Sequence, residues 1–114
     1  MAGLDMLRSR SDFSALQAAG RTRGHRLLTV RTRPNGLDHP RFGISTGRNV
    51  GTAVVRNRVR RRVREILRAM PIGGAGRDIL VVCRPAAATA SYDELREAIG
   101  RLLQTNDDER ATGT

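Results

Sequence analysis

The apolar positions of this chain follow two periods, and each period predicts a different kind of element. In residues 53–70 apolar side chains recur every three or four residues, as in a helix with one buried face. In "HRLLTVRTR" and "RFGIST" apolar and polar residues alternate, which is typical of half-buried strands. "DILVVCR" is a continuous apolar run, which favours a strand inside a sheet.

Helical patterns also occur near both ends of the chain. A short helix is predicted between Ser11, a suitable N-cap, and Gly20, a natural stop. A last helix begins at Ser91, where Glu94 three residues later completes a capping box. The order is therefore helix, strands, helix, strand, helix, with a strand–helix–strand unit over residues 41–84.

The two faces of the predicted sheet differ in chemistry. Leu28 and Val30 point towards the core, whereas Thr29, Arg31 and Ser45 project from the other face. We therefore predict an α+β fold, a small mixed sheet with helices on one face, and an opposite face that stays open.

The length of 114 residues fits one domain, predicted over residues 1–104. Residues 105–114 are polar and lack periodicity, so a disordered tail is predicted there. Cys83 is the only cysteine, which excludes a disulfide framework. Because no apolar run reaches the length of a membrane span and the N-terminus lacks the pattern of a signal peptide, a cytoplasmic protein is expected.

Charge indicates the class of partner. The chain has 21 basic residues, all arginine, against 11 acidic ones, for a net charge of +10. Such an excess favours a polyanion, and nucleic acid before a membrane surface.

Placed at about 100° per residue, segment 53–70 separates into an apolar stripe and a basic face. The outward stripe contains Asn57, Arg61, Arg64 and Arg68, with Arg60 at its edge. Arg58 and Glu65 fall on the other flank, and Arg56 and Arg62 lie near the apolar border.

This basic face is better explained by an anionic partner than by solvation alone. Seven arginines on one helix repel one another, and Glu65 alone offsets them locally. Thr52 is a plausible N-cap, and Arg48 and Asn49 just upstream would extend the anion-binding surface.

No catalytic spacing is visible in the chain. His25 and His39 are isolated, and the acidic residues 107–109 lie in the predicted tail. We therefore expect neither a protein catalytic site nor a metal site. A general RNA- or DNA-binding protein of ribosomal or nucleoid type remains an alternative at this point.

The stretch "GISTGRNVGTAVVRNRVRRRVRE" resembles the signature of the bacterial ribonuclease P protein subunit, with "RNRVRR" at its centre. "RSRSDFSALQAAGR" resembles the first helix of that family, and "RDILVVCRPAAATASYDEL" resembles its last strand, Arg-Pro turn and final helix. The resemblance covers about residues 7–103 in the same order.

The resemblance implies a compact α/β sandwich with the order α-β-β-β-α-β-α and a left-handed central crossover. It implies a ribonucleoprotein that removes the 5′ leader of precursor tRNA, in which the RNA subunit carries the chemistry with Mg²⁺. The protein is expected to be monomeric alone and to form a heterodimeric holoenzyme with that RNA.

The resemblance also assigns residues to two RNA contacts. Those implied to bind the RNA subunit are Arg48, Asn49, Arg56, Asn57, Arg58, Arg60, Arg61, Arg64 and Arg68. Those implied to line the leader-binding cleft are Phe13, Thr29, Arg31 and Ser45.

Three places depart from the family pattern. Residues 47–49 are Gly-Arg-Asn where a serine and two lysines are frequent, and Thr52 replaces an asparagine. Gln17 and Arg31 stand where phenylalanine and tyrosine are common, so leader binding is expected to depend more on Phe13 and on arginine planes.

Overall fold

The computed structural model describes residues 6–7, 10–19, 21–70 and 76–112, with side chains as far as Leu103. Two short 3₁₀ turns, Arg48–Val50 and Pro85–Thr89, interrupt the connections. The helices and strands are α1 (Arg10–Ala19), β1 (Arg21–Gly24), β2 (Leu28–Pro34), β3 (Arg41–Thr46), α2 (Ala53–Ala69), β4 (Arg77–Cys83) and α3 (Tyr92–Thr112).

The four strands form one mixed sheet in the order β1-β2-β4-β3. β2 pairs antiparallel with β1 and β4, whereas β3 runs parallel to β4 and is joined to it through α2. The α+β class, the element order and the predicted strand–helix–strand unit are thus confirmed. The residue pattern did not reveal β1, because "RTRG" is largely exposed and has no apolar residue.

The main core lies between one face of the sheet and the helices α2 and α3. Leu28 and Val30 of β2 are fully buried there, as predicted, together with Phe42 of β3. α2 contributes the apolar stripe expected from its periodicity, namely Val59, Val63, Ile66 and Leu67. Burial of this stripe fixes which face of α2 remains outside.

α1 corrects the prediction that the helices share one face of the sheet. Leu16 of α1 is buried against Leu80 and Leu7 in a second cluster, on the face opposite α2 and α3. Because side chains alternate along a strand, the apolar run of β4 is apolar on both faces. Its second apolar face needs a cover, and α1 supplies it over part of the sheet.

Two of the predicted helix caps are present. Thr52 accepts a hydrogen bond from the Val55 amide at 3.3 Å and so caps α2. Ser91 and Glu94 form the reciprocal capping box, at 3.1 and 2.8 Å. Ser11 lies inside α1, which begins at Arg10, so the prediction of Ser11 as an N-cap is wrong.

The backbone of α3 is helical as far as Thr112, beyond the boundary predicted at residue 104. The side chains after Leu103 lie outside the described part of the chain. The proposed disorder of residues 105–114 therefore stays a prediction.

Candidate RNA-binding surfaces

The outward stripe of α2 is exposed along its length, as the helical periodicity predicts. Val59 and Val63 are fully buried on the opposite side of the helix. Asn57, Arg61, Arg64 and Arg68 are all exposed. In the 3₁₀ turn before α2, Arg48 and Asn49 are exposed as well. These six side chains can reach an anionic partner without any change in the fold.

Arg58 and Arg62 face the protein itself. Nη2 of Arg58 donates to the carbonyl oxygen of Ala88 at 3.1 Å, and Nη1 of Arg62 donates to that of Ala90 at 3.2 Å. Both arginines are half-buried. They join α2 to the segment that leads into α3. Arg58 was assigned to RNA binding by resemblance, and the structure gives it this internal partner.

Arg60 connects three elements of the fold. Its Nη2 donates to Oγ1 of Thr46 at the end of β3, at 2.7 Å. Its Nη1 donates to Oδ1 of Asn57 one turn earlier in α2, at 2.8 Å. Arg56 is half-buried, which agrees with its predicted place near the apolar border.

The four predicted cleft residues lie together on the sheet face that carries α1. The strand register aligns Thr29, Val82 and Ser45 in one row across the sheet, and Arg31, Leu80 and Gly43 in the next. α1 covers the second row and leaves the first partly open, so Thr29, Val82 and Ser45 are only half-buried. The result is a shallow cleft with α1 as one wall.

Phe13 forms part of that wall. A Cβ at position 43 would lie 2.8 Å from Cε1 of Phe13, closer than carbon atoms pack, so the ring rests directly on Gly43. Val82 lies on the floor beside it and was missed from the sequence. A continuous apolar run does not indicate which of its residues the covering helix leaves open.

Arg31 is fixed by α1 as well. Its Nη1 donates to the carbonyl oxygen of Gln17 in the last turn of the helix. A cation is favoured at this end of a helix, where unpaired carbonyl groups concentrate partial negative charge. Arg31 therefore reaches across the sheet face and lines the cleft next to α1.

A buried carboxylate, Asp78 of β4, anchors the same side of the sheet. Arg41 donates to both of its oxygens at 2.9 Å, and Asn35 donates at 3.1 Å. Arg33 lies 3.7 Å away, and Arg41 also reaches Asp12 of α1 at 3.4 Å. Burial by itself raises the pKa of Asp78, but these hydrogen bonds and charges outweigh it and hold the pKa below its usual value. From sequence, Asp78 gave no sign of this role beyond being an acid at the start of an apolar strand.

The described residues contain no group of three or more His, Cys, Asp or Glu side chains that could hold a metal ion. His25 accepts a hydrogen bond from the Leu27 amide at 3.0 Å, and His39 lies 2.8 Å from exposed Asp38. Burial raises the pKa of the Cys83 thiol to about 11, although the charge of Arg60 acts against the shift. That thiol is a poor nucleophile. Residues 107–109 lie outside the part described with side chains.

Within the same described residues, every helix is too short or too polar to cross a bilayer.

Sequence comparison identifies the relatives of this fold. A family model described as Ribonuclease P matches residues 1–107. The ribonuclease P protein component of Acidothermus cellulolyticus is 44% identical over 85% of this chain and 83% of its own length. That of Herpetosiphon aurantiacus is 37% identical over 86% of this chain and 80% of its own length.

Solved structures agree with the sequence comparison. The ribonuclease P protein of Thermotoga maritima superimposes with a TM-score of 0.79 at 32% identity, over 89% of this chain and 96% of that one. A Staphylococcus aureus ribonuclease P protein mutant gives 0.83 at 27% identity, over 90% and 87%. The chain belongs to the ribonuclease P protein family, whose bacterial members are the protein component of an endoribonuclease.

Proposed function

We propose that this protein binds the ribonuclease P RNA through the outward face of α2 and binds the 5′ leader of precursor tRNA in the cleft beside α1. By this division of labour the RNA subunit cleaves the leader with Mg²⁺, and the protein contributes affinity and position. Family membership supports the RNA partner, and the chemistry of the two surfaces supports the rest of the proposal.

The observation that carries the proposal is the exposed stripe of α2. Asn57, Arg61, Arg64 and Arg68 project from a helix whose opposite side is locked into the core. Guanidinium groups match phosphate oxygens in geometry and charge. With Arg48 and Asn49 next to the N-terminus of the helix, they form one surface suited to an RNA backbone.

The cleft suits a single strand better than a duplex. It is a shallow groove with an aromatic ring, Phe13, on the α1 side and the hydroxyl groups of Thr29 and Ser45 on its floor. Bases stack on aromatic rings without regard to sequence, at about 1–3 kcal/mol per base. Arg31 adds a positive charge at the wall. These features fit a leader of variable sequence.

Mg²⁺ belongs, in this proposal, to the RNA subunit and the substrate, because the described residues offer no cluster of metal ligands. The holoenzyme is proposed to contain one protein and one RNA and to act in the cytoplasm on precursor tRNA.

Reconstitution tests the proposal. Adding the protein to a bacterial ribonuclease P RNA at low Mg²⁺ should restore leader cleavage, measured as release of the 5′ fragment from end-labelled precursor tRNA. The protein alone should leave the precursor intact. Tight binding to duplex DNA without stimulation of cleavage would instead favour a general nucleic-acid-binding protein.

Phe13→Leu tests the cleft separately from the α2 surface. Leucine keeps an apolar group against Leu7 and Leu16 but removes the ring. We expect holoenzyme affinity for precursor tRNA to fall about five- to tenfold, and affinity for mature tRNA to stay unchanged, because only the precursor has a base to stack. Equal losses for both RNAs would show that Phe13 serves packing alone.

A further inference from the structure

The two hydrogen bonds of Arg60 determine the orientation of a neighbouring side chain. Nη1 of Arg60 donates to Asn57 at 2.8 Å, and Nη2 is held by Thr46 at 2.7 Å. Arg60 is half-buried, whereas Asn57 is exposed on the outward stripe of α2. The guanidinium is thus fixed at both ends before any partner arrives.

A guanidinium group has donors only, so the Asn57 atom that faces Arg60 must be the carbonyl oxygen. The amide group is planar, with its oxygen and nitrogen on opposite sides of Cγ. Since Oδ1 is turned towards Arg60, the NH₂ group is turned away from it. Asn57 therefore presents two N–H donors to solvent next to Arg61 and Arg64, which lie on the same outward stripe.

We propose that Arg60 is a positioning residue that holds the Asn57 amide with its NH₂ group outward, where it donates to a phosphate oxygen of the ribonuclease P RNA. Asn57 is then the residue in contact, and Arg60 acts through it. This inference rests on the proposed docking of α2 on the RNA subunit.

Arg60 itself is poorly placed for a phosphate contact. Both of its terminal nitrogens already donate to side-chain oxygens of this chain, and its stem is half-buried. Breaking either bond to reach RNA would leave an oxygen of Thr46 or Asn57 without its donor. A neutral amide donor held in place adds a contact without adding to the repulsion among the arginines of α2.

The test is a double-mutant cycle of Asn57→Ala and Arg60→Met, measured as equilibrium binding of the full-length protein to ribonuclease P RNA. Each single change should weaken binding about tenfold, the scale of one hydrogen bond to a charged acceptor. The double variant should be no weaker than about tenfold in total, because both changes remove the same contact. Losses that multiply to about a hundredfold would overturn the inference, since Arg60 would then act independently of Asn57.

Asn57→Asp separates orientation from structure. A carboxylate still accepts from Arg60, so thermal stability should be retained, but it has no donor and repels phosphate. RNA affinity should fall at least about tenfold, the scale of the donor that is lost. Wild-type affinity in Asn57→Asp would also overturn the inference.

Two controls keep this result distinct from failure of the docking proposal. Thr46→Val removes the other hydrogen bond of Arg60 and should leave RNA affinity within about twofold, since the pair Arg60–Asn57 is retained. Arg61→Ala with Arg64→Ala should weaken binding whether or not Arg60 positions Asn57. If that pair has no effect, the docking surface itself is wrong; if it acts and the cycle is additive, only the positioning role is wrong.

Discussion

Two groups of arginines in this protein have the same chemistry and opposite surroundings. The internal arginines donate to oxygens of the chain and are half-buried; they are Arg41, Arg58, Arg60 and Arg62. The outward arginines are exposed; they are Arg48, Arg61, Arg64 and Arg68. Within the described part of the chain, no outward arginine donates to a protein oxygen. The number of arginines on a helix therefore overstates the surface that RNA can use.

The difference follows from position along the helix. Arg58 and Arg62 are one turn apart and share the flank of α2 that faces the Pro85–Thr89 turn, where the carbonyl oxygens of Ala88 and Ala90 need donors. Arg61 and Arg64 lie on the opposite side from buried Val59 and Val63, with only solvent to meet. Internal arginines should therefore govern stability, and outward arginines should govern RNA affinity and its salt dependence.

The largest effect on stability is expected from Asp78→Asn, which removes the carboxylate that Arg41 grips with two hydrogen bonds. Breaking a buried ion pair costs about 3–5 kcal/mol, and the lower end applies because the Arg41 side chain is 24% exposed. We expect a loss of about 3 kcal/mol in the free energy of unfolding, measured by urea denaturation. Asp93→Asn, at an exposed position of α3, is the matched control. Equal stabilities of the two variants would contradict the internal role of Arg41.

The same carboxylate should produce an acid-dependent loss of stability. The pKa of Asp78 is lower in the folded protein than in the unfolded chain, where it is about 3.9. Its contribution is therefore complete above about pH 4 and is lost as the pH falls through the folded value. The stability difference between wild type and Asp78→Asn should shrink below about pH 4. A difference that stays constant down to pH 2 would show that Asp78 does not titrate in this way.

For the outward group, Arg61→Ala combined with Arg64→Ala should weaken RNA-subunit binding about a hundredfold, since each arginine is expected to make one charge-assisted contact. The plot of log affinity against log salt should lose about 0.7 to 0.9 in slope per contact. Helicity and melting temperature should be unchanged, because both side chains point away from the core. A fall in helicity by circular dichroism would show that these side chains support the fold.

The sequence predicted the outward group better than the internal one, for a physical reason. Periodicity gives the direction of each side chain from the helix axis, which was enough to place Val63 inside and Arg64 outside. It does not say what lies opposite a flank. The carbonyl oxygens that Arg58 and Arg62 bind come from a segment some thirty positions away, and only tertiary packing brings them close.

The sheet shows the same limit. Alternation correctly placed Thr29 and Ser45 on the face away from the main core, and the resemblance grouped Phe13 with them. The apolar run of β4 did not reveal that α1 would cover Leu80 and leave Val82 half-buried. A strand that is apolar on both faces gives no register for the helix above it, so the depth of the cleft required the structure.

The smallest expected effects give the sharpest comparison, because one substitution is made twice on the same helix. Arg62→Met keeps the stem but removes the donor to the carbonyl oxygen of Ala90, a buried residue. We expect a loss of about 1 kcal/mol, or about 4–8 °C in melting temperature, with an unchanged salt slope for RNA binding. Arg68→Met should do the reverse: melting within about 2 °C of wild type, and a slope reduced by about 0.7 to 0.9. If both variants lower the slope equally, Arg62 also reaches RNA, and the hydrogen bond to Ala90 does not keep it from the interface.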